Sequence, residues 1–320
     1  MTEASLSPQI TVIGGGSIGV AFAVLFARAG NAVRVYEPDA QRQQAVPLEV
    51  GTRLADLHSY DLLTEPADAI ADRVRVHASL SDAVADADLV QECVPEDVQI
   101  KRTLFSSLAE LTRAECIIAS STSFIPSSTS AEQTGVEERT LVAHPGNPPY
   151  AIPVIELVPN PQTRPEIVQR AEKIYRQAGM SPVRVRQEVE GFVFNRLQGA
   201  ILREAYALVR DGVASVEDID TVVRDGLGRR WAFMGPFETV DLNTRGGIAA
   251  HAQKMGPFYE RMGRERGDTS SWDPELVGRV EAQRRELLDL QDWEDRVAWR
   301  DQQLLTRLQF AAHHTSKENS

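Results

Sequence analysis

An α/β fold, with a doubly wound parallel sheet followed by an all-α C-terminal domain, is predicted by three observations. Strand and helix patterns alternate over residues 1–188. A glycine cluster joins the first strand pattern to the first helix pattern. From Gly191 onward the patterns are helical only. Alternation at this spacing calls for parallel strands with helices on both faces.

The elements follow in order. Gln9–Ile13 is a short β-branched run, and Ser17–Ala29 is apolar at helical spacing and stops at Gly30. Ala32–Tyr36 is the second strand. The polar stretch Asp39–Leu63 predicts two helices with a break near Pro47, because proline lacks the amide a helix interior needs. Val74–His77 and Leu89–Val94 are strands around a helical Ser79–Ala87, and the helix Asp97–Leu111 leads to the strand Cys116–Ser120. Leu141–Ala143 and Val154–Val158 are two further strands, Pro165–Ala178 is a helix, and Val183–Arg186 closes the region. Phe192, Leu197, Ile201, Ala205 and Leu208 mark one face of a long helix that stops at Gly212, and Ser215 with Asp218 forms a capping box for the next. The expected division is 1–188 and 189–320, the second part carrying substrate binding and dimerisation. The polar end, His313–Ser320, is expected to fray.

The bulk numbers exclude several classes. The chain has 320 residues, enough for two cores. Its net charge of −12 would repel nucleic acid backbones and anionic membrane surfaces, so small molecules and copies of itself are the expected partners. Met1–Pro8 lacks the basic start and apolar centre of a leader, and no apolar run approaches a membrane span, so a cytoplasmic location is expected. Cys93 and Cys116 lie in strand patterns and read as buried, reduced thiols. Six scattered histidines and two cysteines offer no metal-ligand spacing.

The glycine cluster is Gly14-Gly15-Gly16-Ser17-Ile18-Gly19, with G-x-G-x-x-G at Gly14, Gly16 and Gly19. In a strand–turn–helix context, Gly14 permits the tight turn and Gly16 lets the backbone approach a pyrophosphate. Gly19 lets helix and strand pack closely. The helix N-terminus adds partial positive charge. Glu37 ends the second strand, where a carboxylate accepts hydrogen bonds from the adenosine ribose hydroxyls and repels a 2′-phosphate. A Rossmann-type site for NAD rather than NADP is the reading.

Chemistry needs a base for an alcohol proton. His144 follows the strand Leu141–Ala143, at the sheet edge where ligands bind. Glu156 sits inside an apolar strand, where a lone charge is costly unless it has a partner or a role. A carboxylate holding the imidazole would fix its tautomer and raise its basicity. Hydride would then leave the carbinol carbon for the nicotinamide as His144 takes the proton.

Several segments extend this reading: Gln91-Glu92-Cys93-Val94-Pro95-Glu96, His144-Pro145-Gly146-Asn147-Pro148-Pro149-Tyr150, Glu156-Leu157-Val158-Pro159, and Gly191-Phe192-Val193-Phe194-Asn195-Arg196-Leu197-Gln198. Together they resemble the 3-hydroxyacyl-CoA dehydrogenase family, and within it the lambda-crystallin branch of L-gulonate 3-dehydrogenases. The segment from Asp225 to Pro236 and Trp299-Arg300-Asp301 fit that branch too. The resemblance implies His144 as catalytic base and Glu156 as its paired carboxylate. It implies Ser123 on the reacting oxygen, and Asn195 reaching the substrate from the start of the first helix of the second domain. Glu96 and Lys101 match cofactor-contacting positions near the nicotinamide ribose. The resemblance also implies a homodimer. Gly146 stands where that branch suggests a larger apolar residue, which predicts a wider pocket beside the base.

Arg230 carries the substrate reading. It aligns with an arginine of the lambda-crystallin branch, and a guanidinium suits bidentate capture of a free carboxylate. A 3-hydroxy acid such as L-gulonate is expected. The alternatives are a 3-hydroxyacyl-CoA, a 3-keto polyketide or other secondary metabolite, and a carnitine-like cation caged by Trp231 and Trp272. A crystallin-like NADH-binding protein without turnover is the non-enzyme alternative. The presence of Ser123, His144, Glu156 and Asn195 together argues against it.

Overall fold

Ile10–Ile13 forms β1, and its side chains alternate between two cores. Ile10 and Val12 enter one, Ile13 the other, and the Thr11 hydroxyl donates to the Ala83 carbonyl at 2.6 Å. Burial on both faces explains the continuous apolar run of a central strand. The computed structural model describes residues 7–232, 234–245 and 247–265, with 275, 282, 286, 289–292, 295, 298, 299, 301–306 and 308–310. The expected frayed end His313–Ser320 and the first six residues of Met1–Pro8 lie outside the described residues.

The strands are β1, β2 (Val33–Tyr36), β3 (Val74–His77), β4 (Leu89–Glu92), β5 (Ile117–Ser120), β6 (Thr140–Pro145), β7 (Val154–Pro159) and β8 (Ser181–Arg184). They form one sheet in the order β3-β2-β1-β4-β5-β6-β7-β8. All neighbours are parallel except β6 and β7. The expected parallel, doubly wound sheet holds apart from that one pair. Only eight residues, 146–153, join β6 to β7, too few for a crossover helix, so the chain returns antiparallel.

Helices α1 (Ser17–Arg28), α2 (Ala40–Ser59), α3 (Ala67–Ala71), α4 (Leu80–Val84), α5 (Val98–Leu111), α6 (Ser127–Ser130) and α7 (Pro165–Gln177) flank the sheet. The break predicted near Pro47 is absent, and α2 runs through it. Pro47 lies on the exposed side, where water can take the orphaned carbonyl, while Val46, Val50, Leu54 and Leu57 bury the opposite face. Each fully buried aliphatic side chain contributes roughly 1.5–3 kcal/mol, enough to outweigh one lost helix hydrogen bond.

Beyond β8 the described residues contain helices and no strand: α8 (Phe194–Arg210), α9 (Val216–Thr221), α10 (Gly228–Trp231), α11 (Pro236–Asn243) and α12 (Gly247–Glu265). The α9 capping box forms as read, with Ser215 Oγ accepting from the Asp218 amide and Asp218 from the Ser215 amide. A π-helical turn, Val222–Leu227, joins α9 to α10. Phe192 is corrected from a helix position to the loop before α8, at a positive φ of 50°. The chain divides into two compact units. One holds residues up to 196 with those from 298 onward, and the other holds 197–297. Leu304, Leu305 and Leu308 return to the core of the first. No described helix is long and apolar enough to cross a membrane.

Candidate active site

The glycine turn folds as its sequence requires. Gly14 has φ of 101°, and a Cβ there would lie 2.8 Å from the Cys93 carbonyl oxygen. A Cβ at Gly19 would stand 1.8 Å from the Gly14 carbonyl oxygen, so α1 can approach β1 only with glycine at 19. Gly16 is different: nothing lies within 4 Å of the Cβ position. It is also the N-cap of α1 and supplies no capping side chain, so the first-turn amides lack a side-chain acceptor. An open, uncapped helix start suits a pyrophosphate, and the residues fit NAD. Ser17 opens α1, with Arg53 donating to its carbonyl (2.9 Å) and hydroxyl (3.2 Å), and half-buried Ile18 packs on the core. Glu37 is buried beside this turn. Its Oε2 accepts from the Gly15 amide at 2.8 Å and its Oε1 from the Asp39 amide at 3.0 Å.

The second cluster lies where β6 and β7 pair. β6 extends through Pro145, so His144 belongs to the strand rather than following it, and it pairs directly with Glu156. His144 Nδ1 lies 2.8 Å from Glu156 Oε2, both side chains being buried. Glu156 Oε1 accepts from the amides of Val193 at 2.7 Å and Phe194 at 3.0 Å. The carboxylate thereby gains the neutralising donors that burial demands. Such a carboxylate holds the proton on Nδ1 and leaves Nε2 as the basic nitrogen. No described residue engages Nε2.

Ser123 and Asn195 meet in the same unit, with Asn195 Nδ2 donating to the Ser123 carbonyl at 3.3 Å. Glu96 turns to the serine loop: its Oε1 accepts from the Thr122 hydroxyl (2.5 Å) and the Ser123 and Phe124 amides (both 3.1 Å). Lys101 is buried, its Nζ 2.8 and 2.9 Å from the two Glu92 oxygens and 3.7 Å from Glu96. Glu92 also accepts from Ser120 Oγ at 2.5 Å and the Val94 amide at 2.8 Å. Sequence reasoning missed Glu92, although a charge inside the apolar run Leu89–Val94 is the same signal that picked out Glu156. The wider pocket expected from Gly146 is corrected: Ile152 Cγ2 sits 2.4 Å from where its Cβ would be, so the space is filled.

Arg230 lies half-buried on α10, in the second unit, and no described residue pairs with its guanidinium. Trp231 is 37% exposed beside it, while Trp272, Phe233 and Arg300 lie outside the described residues. Burial pushes both cysteine thiols up to about 12 and leaves them protonated. Among the described residues no group of three His, Cys, Asp or Glu side chains could hold a metal ion.

Sheet, glycine turn and buried histidine–carboxylate pair define an NAD-dependent oxidoreductase acting on a CH–OH group. Residues 9–189 match the 3-hydroxyacyl-CoA dehydrogenase NAD binding domain, and residues 191–286 match the C-terminal domain of the same enzymes. The chain belongs to the 3-hydroxyacyl-CoA dehydrogenase family. It is 42% identical over 234 residues to a lambda-crystallin homolog of Bos taurus, covering 72% of this chain and 73% of the relative. It is 38% identical over 232 residues to an L-carnitine dehydrogenase of Bacillus cereus, covering 72% and 70%. Among solved structures, an NAD+-dependent 5-formyl-3-hydroxy-2-methylpyridine 4-carboxylic acid 5-dehydrogenase is similar at a TM-score of 0.72 and 28% identity. That likeness covers 90% of this chain and 98% of the other.

Proposed function

We propose that this enzyme interconverts the 3-hydroxy and 3-keto forms of a small free carboxylic acid, with L-gulonate the leading candidate. The carrying observation is the His144–Glu156 pair at 2.8 Å, with no described residue on Nε2. His144 Nε2 accepts the alcohol proton, and Glu156 stabilises the imidazolium that forms. Gly14, Gly15, Gly16, Ser17, Ile18 and Gly19 would hold NAD, with Glu37 available to its ribose hydroxyls, and the bound cofactor would supply the hydride acceptor for the carbinol carbon. The Ser123 hydroxyl, to which no described residue is bonded, and Asn195 hold the reacting oxygen. Glu96 fixes the serine loop and Lys101 lies behind it on Glu92, and the family resemblance assigns both to the nicotinamide end of the site.

Arg230 carries the free-acid assignment. A half-buried guanidinium without a carboxylate partner among the described residues is suited to a substrate carboxylate. A quaternary-ammonium 3-hydroxy acid is the second reading, favoured by the L-carnitine dehydrogenase relative and by Trp231 next to Arg230. We assign a homodimer by family resemblance. The test is turnover with NAD on L-gulonate, L-carnitine and a short L-3-hydroxyacyl-CoA at matched concentrations. Activity on gulonate, with KM raised about tenfold or more by Arg230→Met, is the expected result. Activity on the thioester alone, or an unchanged KM in Arg230→Met, overturns the free-acid assignment.

A further inference from the structure

The loop entering α8 touches the base pair from two sides. Gly191 and Phe192 are consecutive left-handed residues, at φ of 74° and 50°. Glycine reaches this region freely; a phenylalanine with a full Cβ does so only when its surroundings hold it there. The holding contacts are visible. The Phe192 amide donates to the Val189 carbonyl at 3.0 Å, closing a tight turn. Its side chain is fully buried with Val142, Val158 and Val185, on the two strands that carry His144 and Glu156 and just past β8. Upstream, Glu188 Oε1 accepts from Ser127 Oγ at 3.2 Å and the Ser128 amide at 2.9 Å, tying the loop to α6.

Two consequences reach the chemistry. The left-handed step aims the next two amides, of Val193 and Phe194, at Glu156 Oε1. Successive amides converging on one oxygen make a small anion nest, here occupied by the protein's own carboxylate. The Phe192 ring also stands 5.6 Å from the His144 ring, centroid to centroid. The amides fix the Glu156 carboxylate from the side away from the imidazole, and the ring packs on the imidazole itself.

We infer that Phe192 is a positioning residue of the His144–Glu156 pair, setting the orientation of the base through the amides it aims at Glu156 and the ring it lays on His144. The inference rests on His144 being the base. Phe192→Leu keeps an apolar filler and removes the ring. It is expected to lower kcat by about tenfold with little change in KM. NADH affinity should stay the same, since the glycine turn is untouched.

A variant with unchanged kcat and only a lowered Tm would reduce Phe192 to packing and overturn the inference. Hydrogen exchange in the wild-type chain provides a test that needs no variant to fold. The amides of Val193 and Phe194 are expected to be protected and to shift downfield as carboxylate-bound amides, and unprotected amides there overturn the inference equally. His144→Ala separates the two ideas. An active His144→Ala removes the base assignment itself, whereas an inactive one beside an unaltered Phe192→Leu removes only the role of Phe192.

Discussion

The glycine turn and the histidine–carboxylate pair are built in opposite ways. The turn is contiguous: six residues, 14–19, make it from backbone, and its essential feature is the absence of side chains at Gly14, Gly16 and Gly19. The pair is assembled from three separate segments, β6, β7 and the loop before α8, and depends on side chains and two amides meeting at hydrogen-bond distance. A contiguous backbone device announces itself in sequence. An assembled one depends on strand register, since sliding β7 by one residue against β6 would turn Glu156 to the other face of the sheet. The turn suits binding and the pair suits proton transfer, so the two can be damaged independently.

The largest effect tests that independence directly. His144→Ala is expected to lower kcat by about a thousandfold or more while NADH affinity, followed by fluorescence titration, stays within about twofold. The converse variant is Gly19→Ala. Its Cβ would collide with the Gly14 carbonyl oxygen, so the turn must open. We expect NADH affinity to fall about a hundredfold, with turnover at saturating NAD far less affected. If Gly19→Ala lost turnover and kept its affinity, the two devices would not be separable.

The same contrast explains how much the sequence revealed. Strand and helix order was legible because β1 alternates between two cores and α1 keeps helical spacing, and the capping box at Ser215 was legible because its four residues are adjacent. Pro47 misled because local propensity was overridden by four buried residues on the far face of α2. Gly146 misled because a missing side chain says nothing about what fills the space, here Ile152. Glu156 was legible as a charge in an apolar strand, yet its second oxygen and the role of Phe192 were not. Both depend on a left-handed backbone step that a phenylalanine does not advertise.

A smaller effect sharpens the comparison through charge. The carboxylates at both devices are satisfied: Glu37 by two amides, Glu156 by two amides and an imidazole, and Glu92 by Lys101, Ser120 and an amide. Asp56 on α2 stands apart. Partial burial, then the facing carboxylate of Asp301, hold its pKa above the ordinary aspartate value. A raised carboxyl pKa means the folded state keeps a proton that the unfolded state has already released, so stability falls as pH rises from the ordinary value through the folded one. Asp56→Asn removes this penalty. Because Asp56 is largely exposed, we expect a Tm gain of only about 1 °C at pH 7, disappearing below the ordinary aspartate pKa of about 4. Neither kcat nor NADH affinity should change, since Asp56 contacts neither device. A gain that persisted at low pH would mean that packing of the amide, and not relief of the burial and Asp301 repulsion of the charged carboxylate, is its source.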